Sequence, residues 1–508
     1  MTAELPITRR AASPLFVLLT ASTGCAMTVL DTNIVAIVLP TIARDFGASF
    51  AEVEWVVSTY VLCFASLLLP AGAVADRFGR RRVFLFGIAL FAIASLLCGL
   101  APSAAALYLA RAFQGVGAAF LLAPALAVIG HSFHDEGERN RAWAVWGGIM
   151  GLTMVLAPII GGLIAHTLGW RWAFHVNVPI CGALAVAVLS IEETRDRNAR
   201  RLDPSGIFFF ATTMFGLTWG FINGQAYGWG SLNALSGFVA GISSLLIFIL
   251  VESRQERPML DLGLFRNSRL VGGVWAMFAY AACAQVMASL LPLFLQNGLG
   301  IAPLEAGFAM LPFALAMLVF PHIGRLFGRR VGAARILAAG LFIVAAGNGL
   351  TGWGAALGSW TIVAMGMLVV GSGGGLLNGE TQKAIMSVVP RERAGMASGI
   401  STTSRFSGIL LGFAVLSAVL ATSVRRLLLP ADCLEEACRQ SSEFVEAVIA
   451  GDLPQAVAGL RGQELEYAIA QARSAYSIGF STMLVAAALI AAASAAAVLY
   501  LFERRGPS

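Results

Sequence analysis

Apolar residues run along this chain in long blocks, not in alternation or in narrow stripes. Stretches free of Asp, Glu, Lys and Arg cover 55–75, 83–110, 112–134, 142–170, 172–191, 270–304, 306–324 and 474–502. Each holds one crossing of a bilayer core, which needs about 20 residues. Residues 11–30 continue past Asp31 to Pro40 as another crossing. The block 205–251 is too long for one helix and breaks at the turn-rich run from Asn223 to Gly230; 336–379 breaks the same way between Gly352 and Gly358. A last block, 396–421, is interrupted by Arg405. The pattern predicts fourteen helices, at about 15–40, 53–75, 82–101, 107–130, 142–165, 171–191, 205–222, 233–251, 270–296, 303–324, 334–352, 359–380, 396–421 and 476–502. The expected fold class is an all-α integral membrane protein.

Composition narrows the classes. Only 12% of the 508 residues are charged and 58% are hydrophobic, with 55 glycines; soluble domains carry about 25% charged residues. Soluble enzymes, coiled coils, disordered regulators and disulfide scaffolds are excluded. The net charge of +6 forms no continuous basic patch, so no nucleic-acid partner is expected. Instead, 25 of the 34 basic residues fall in one alternate set of loops and ends, against two, Arg44 and Arg171, in the short loops opposite. That bias predicts both termini in the cytoplasm, in a bacterial inner membrane. The first apolar run is too long for a signal-peptide core and contains Asp31, so no cleavable leader is expected.

Two loops echo each other. Asp76-Arg77-Phe78-Gly79-Arg80-Arg81-Arg82 follows helix 2, and Gly324-Arg325-Leu326-Phe327-Gly328-Arg329-Arg330 follows helix 10. If they correspond, the chain divides into an N-terminal six-helix half at 1–191, an inserted helix pair with its flanking loops at 192–256, and a C-terminal six-helix half at 257–508 carrying an external loop, 422–475. Repeated halves with a site between them are a common plan of secondary transporters. The competing reading is that any short cytoplasmic hairpin tends towards Gly-Arg-Arg.

The run from Gly72 through Asp76, Arg77, Gly79 and Arg80 closely resembles the signature loop between helices 2 and 3 of the major facilitator superfamily. Helix 1 carries Leu30-Asp31-Thr32-Asn33-Ile34-Val35. Helix 4 carries Arg111-Ala112-Phe113-Gln114-Gly115-Val116-Gly117. Helix 5 carries Ala157-Pro158-Ile159-Ile160-Gly161-Gly162, followed by Gly169-Trp170-Arg171-Trp172 and Asn177-Val178-Pro179. Together these are similar to the fourteen-helix drug:proton antiporter branch of that superfamily. The resemblance implies two pseudo-symmetric halves with an inserted pair, proton-coupled export, and a choice of lipophilic, often cationic compounds. The helix 5 motif departs from the family pattern, with Ala157 before the proline and Thr153 four residues earlier. Both replacements are small and compatible with close packing.

Ionisable groups inside a bilayer are costly and functional by default. Asp31 is the candidate proton acceptor and cation contact, and Arg111 the group that tunes it; a static ion pair joining helices 1 and 4 is the alternative. Arg405 is a second membrane-embedded charge with no acid at helical spacing, so its partner must come from another helix or from a substrate. Asn33, Tyr60, Gln114, Asn177, Gln285 and Gln296 are candidates to line a substrate cavity. Glu52 and Glu54 are expected to face water, and Glu380 to end helix 12. His131 and His134 lack the cysteines and carboxylates of a metal site. Gly371-Ser372-Gly373-Gly374-Gly375 lacks the lysine of a phosphate loop and reads as a packing surface. Without an ATP-binding motif, no cofactor is expected and the energy must come from an ion gradient, which the resemblance implies is a proton gradient. Cys433 and Cys438 are a candidate disulfide in the external loop, aided by a helix start at Pro430 and Asp432. The expected partners are small-molecule substrates and the lipid bilayer, with a monomeric protein and an adaptor left open. Export of one lipid-like or natural product, and a non-transport membrane protein, are the competing functions. The second would need a catalytic constellation, and none is present.

Overall fold

The structure, a computed structural model, describes residues 13–133, 135–195, 203–255, 262–327, 331–389, 394–428, 444–451, 453, 457 and 460–503. Fourteen helices among these are long and apolar enough to cross a membrane. They are α1 Pro14–Phe46, α2 Phe50–Phe78, α3 Arg80–Gly99, α4 Ala104–Ser132, α5 Glu136–Thr167, α6 Trp172–Leu189, α7 Pro204–Tyr227 and α8 Leu232–Arg254. The chain continues through α9 Ser268–Asn297, α10 from Pro303 to Phe327, α11 Ala333–Ala356, α12 Trp360–Val388, α13 Ala394–Leu428 and α14 Gln463–Glu503. Side-chain oxygens cap several starts: Ser49 and Glu52 form a reciprocal capping box on α2, and Ser103 and Ser231 cap α4 and α8. α9 holds a π turn at Ala281–Gln285.

The architecture is two six-helix halves, α1–α6 and α9–α14, with α7 and α8 inserted between them in sequence. α7 and α8 meet through Gly216 and Gly220 on one and Gly237 and Gly241 on the other; a Cβ on Gly216 would lie 2.6 Å from the Gly241 nitrogen. Helices in lipid gain little from burying apolar surface, so such small faces are what lets backbones approach. Trp55 of α2 packs against Phe215 and Trp219 of α7, with centroids 5.9 and 5.7 Å apart. The glycines of 371–375 behave as packing residues: Gly371 meets the Phe313 carbonyl of α10, and Gly373 the Gly340 carbonyl of α11.

The halves touch most closely towards the arginine-poor ends of their helices. A Cβ on Gly162 of α5 would sit 2.6 Å from the Pro303 carbonyl oxygen of α10, and Gly307 of α10 abuts the Pro158 carbonyl of α5. Gly161 packs on Ile34 and Ile37 of α1. Gln296 of α9 donates to the Ile37 carbonyl at 2.9 Å. Nearer the middle, Phe64 of α2 meets Phe406 of α13, with centroids 4.4 Å apart.

Three expectations need correction. α13 runs to Leu428 and α14 begins at Gln463, so the external segment expected at 422–475 is in good part helical extension. Glu54 is buried, at 1% exposure, instead of facing water; it lies on the α2 face turned into the bundle. Glu380 is not the end of its helix: α12 continues to Val388, and Glu380 is buried and paired with Lys383 at 3.2 Å. Residues 444–450 are helical, with Val445, Val448 and Ile449 buried, and Arg425 of α13 pairs with Glu446 at 2.6 Å. Cys433, Cys438 and His134 lie outside the described residues.

Candidate functional site

Asp31 lies near the middle of α1 and is fully buried. A bare carboxylate there would be prohibitively desolvated, and three donors surround it. Arg111 of α4 donates from one terminal nitrogen to Oδ2 at 2.5 Å. Gln114, one turn further along α4, donates to Oδ1 at 2.8 Å, and Asn177 of α6 donates to the same oxygen at 2.9 Å. Arg111 is held in turn: its Nε donates to the Val56 carbonyl of α2 at 3.1 Å, and its guanidinium carbon stands 4.1 Å from the centroid of the Tyr60 ring. The Gln114 carbonyl oxygen accepts from Arg111 at 2.6 Å, while its amide also donates to Ser95 of α3 at 2.8 Å. Five helices thus close on one charge pair.

The local sequence explains how α4 reaches both neighbours. Gly115 lies against the Tyr60 carbonyl of α2, so the Arg111 side chain one turn earlier reaches Val56. Gly117 lies against α3, where a Cβ would be 2.6 Å from the Phe91 nitrogen. The two glycines draw α2 and α3 onto opposite sides of α4, and the polar side chains between them meet. Ser95 and Cys98, which also borders Gln114 at 3.6 Å, are members that sequence reading missed. Small residues in an apolar helix give no signal distinct from packing; only a polar neighbour in space reveals them.

In the other half, Arg405 of α13 donates from Nε to the Gln285 side-chain oxygen at 2.8 Å. Both are half-buried. Of the remaining candidates, Asn33 donates to the Val29 carbonyl of its own helix at 2.8 Å, and Gln296 bridges the halves as described. Asp31, Arg111, Gln114, Asn177 and Tyr60 therefore come together, Gln285 joins Arg405, and Asn33 stays apart from both groups.

The signature loop is built tightly. Asp76 pairs with Arg80 at 2.8 Å, leaving Arg77 exposed above the Phe78 ring. Glu193, after α6, takes the place at the α3 start that Asp76 could have filled: it accepts from the backbone nitrogens of Arg81 and Arg82 at 3.0 and 3.2 Å. Gly79 has φ +112°, and a Cβ there would strike the Glu193 carboxylate. Gly72 has no such close neighbour. At the opposite face, Trp170 and Arg171 both donate to Asp45, at 3.0 and 2.7 Å, tying the end of α1 to the turn before α6. A cavity of about 740 Å³ opens on that face, lined by Arg44, Asn297, Arg461 and Arg473 among others.

A family model described as Major Facilitator Superfamily matches residues 21–413. Multidrug resistance protein Stp of Mycobacterium tuberculosis is 35% identical over 437 residues, covering 82% of this chain and 78% of the relative. Multidrug efflux pump LfrA of Mycolicibacterium smegmatis is 32% identical over 485 residues, 94% of each chain. Tetracenomycin C resistance and export protein of Streptomyces glaucescens is 34% identical over 410 residues, covering 80% of this chain and 76% of its own. Among solved structures, a bacterial homolog of the human lysosomal transporter Spinster, inward-facing and unoccupied, superposes with a TM-score of 0.61 at 17% identity, covering 97% of this chain and 99% of that one. That likeness concerns the fold. With its fourteen spans and a family match over most of its length, the chain belongs to the Major Facilitator Superfamily and is a membrane transporter, not an enzyme.

Proposed function

We propose that the protein is a proton-coupled antiporter that exports lipophilic, often cationic drugs or toxic compounds from the cytoplasm by alternating access. The observation that carries this reading is the enclosure of Asp31 by Arg111, Gln114 and Asn177. Ionisable groups inside a span are functional by default, and every side chain that holds Asp31 sits on another helix, so helix movement changes what surrounds it. Rearrangement of α1 against α4 would therefore exchange a proton at Asp31. Asn177 supports the cycle, because its Oδ1 is buried without a partner among the described residues. A half-turn of that amide would present an acceptor to a protonated Asp31. The names of the relatives support export of drugs or antibiotics. One of them is named for a single compound, which keeps a dedicated exporter as the second reading; counterflow with several unrelated cations separates the two.

The protein acts as a monomer in the bacterial inner membrane, with both termini and the arginine-rich loops in the cytoplasm. The close contacts of α5 with α10 then lie on the outer side, as in a carrier with its exit closed. In this conformation Asp76 engages only Arg80 of its own loop among the described residues. The signature loop holds the cytoplasmic side closed in the opposite state, so Asp76→Asn shifts the population towards inward-open. Labelling of cysteines introduced on the cytoplasmic side rises if so, and unchanged labelling leaves the loop a purely topogenic role.

The decisive test is a pH jump in proteoliposomes with a panel of dyes. Wild type moves dye against its gradient when protons flow the other way. Asp31→Asn abolishes this while the protein still inserts, and Asp31→Glu keeps part of it. Uphill transport by the Asn variant at wild-type rate would remove Asp31 from the coupling step.

A further inference from the structure

Arg405 is a positive charge inside a membrane span, and the structure pairs it with a neutral amide. Among the described residues its one partner is Gln285, and that bond uses Nε, leaving the terminal nitrogens with four N–H donors unengaged. Burial of a cation in lipid is costly without an acceptor or a function.

The surroundings are built around this position. Ser404 donates to the Val274 carbonyl of α9 at 2.8 Å, and Gly408 and Gly412 follow at intervals of four. A Cβ on Gly408 would lie 2.5 Å from the Phe278 carbonyl oxygen, and one on Gly412 2.6 Å from the Ala282 Cα. This small-residue stripe holds α13 flat on α9, and Arg405 projects beside it. On the α9 side the backbone widens into the π turn Ala281–Gln285, whose last residue is the partner of Arg405. Within that turn Asn348 of α11 donates to the Cys283 carbonyl at 2.9 Å. The Tyr280 hydroxyl, just before the turn, is buried with no hydrogen-bond partner among the described residues. π turns concentrate at functional sites.

We propose that Arg405, steered by Gln285, binds the anionic group, a carboxylate or phenolate, of a lipophilic compound. Two guanidinium nitrogens would take both oxygens of a carboxylate. Asp31 and Arg111 neutralise each other, so the net charge offered to a ligand by these three groups is positive. The protein would therefore accept organic anions and zwitterions as well as the cations expected from the resemblance. Calling this ligand a substrate rests on the exporter reading; the site itself does not.

Equilibrium binding to the purified protein, with no gradient present, tests the site apart from coupling. Fluorescein, an anionic xanthene, and rhodamine 6G, a cationic xanthene ester, share a scaffold and differ in charge. Wild type binds fluorescein. Arg405→Ala weakens it by about tenfold or more, the loss of a charge-assisted contact, and leaves rhodamine 6G binding unchanged or tighter. Arg405→Lys keeps only part of the fluorescein affinity, because an ammonium holds the charge but not the paired contact. Wild-type binding of fluorescein no tighter than that of Arg405→Ala overturns the proposal, as does an equal loss of both dyes. If the dyes bind as expected but a pH jump moves neither, the exporter reading fails and the anion site stands.

Discussion

Arg111 and Arg405 both lie inside membrane spans, and the protein treats them in opposite ways. Arg111 is 1% exposed, with a carboxylate, an amide oxygen, a backbone carbonyl and a tyrosine ring around it. Arg405 is half-buried and has a single amide. The first arrangement leaves nothing for a ligand until it is broken; the second leaves donors open as it stands. A membrane charge that is fully satisfied belongs to a switch or to the scaffold, whereas one with open donors belongs to binding. The contrast also assigns different costs to losing each group.

The largest effect is expected from breaking the pair on one side only. Arg111→Leu strands Asp31 in the bundle and destabilises the protein by about 3–5 kcal/mol, the cost of an uncompensated buried charge. The midpoint of thermal unfolding in detergent reads it. The double variant Asp31→Asn with Arg111→Leu recovers much of that loss without recovering proton-driven transport. Full recovery of transport would make the pair a static strut. Arg405→Leu, by the same measure, is neutral or stabilising, because no partner charge is left behind. Next comes the comparison of amides: Gln114→Leu removes bonds to Asp31, Arg111 and Ser95 and costs about 2–3 kcal/mol, whereas Gln285→Leu costs about 1 kcal/mol. Equal losses would erase the distinction between the two sites.

A smaller effect is expected outside the membrane, at Asp203, which caps α7. Burial works to raise its carboxyl, but donation from the Gly206 backbone, Gln255 and Ser205 outweighs this and holds it below the usual carboxylate range. A group lowered in the folded state adds stability above its unfolded value, and that contribution is lost as pH falls through the folded one. Wild type should therefore lose thermal stability on the acid side slightly more steeply than Asp203→Asn. Identical pH profiles would show that ionisation of the Asp203 carboxyl adds nothing to stability.

Much of this was legible in the sequence, for a physical reason. A span must be apolar for about 20 residues whatever it packs against, so twelve apolar blocks, two of them long enough for a pair, correspond to fourteen helices, with α10 beginning at Pro303 as read. Outside the lipid that constraint vanishes. Gln463–Ala475 is polar enough to resemble a loop, yet it continues α14, and hydropathy has no means of marking it. Asp31 and Arg111 stood out because charge in an apolar run is rare. Their meeting with Gln114 and Asn177 was within reach, since all four were singled out, but the supporting Ser95 was not. Glu193 was invisible as a helix cap because the residues it serves lie more than a hundred positions away. Glu54 was misread because its place near the α2 start says nothing of which face is turned inward.

The π turn in α9 has one more consequence, for the phase of the helix. A π turn carries one residue more than an α-helical turn of the same rise, and each residue advances an α-helix by about 100°. The two ends of α9 are therefore out of step by that amount. Val274 and Phe278 face the glycine stripe of α13 before the turn; after it, Gln296 faces Ile37 across the divide between the halves. Deleting one residue from Ala281–Gln285 would give an unbroken helix of nearly the same length. It would also swing the whole segment from Met287 to Asn297 by a quarter turn, carrying Gln296 off its carbonyl and exposing a different row of side chains to α1. A single extra residue thus lets one helix serve two surfaces that no regular helix could present together.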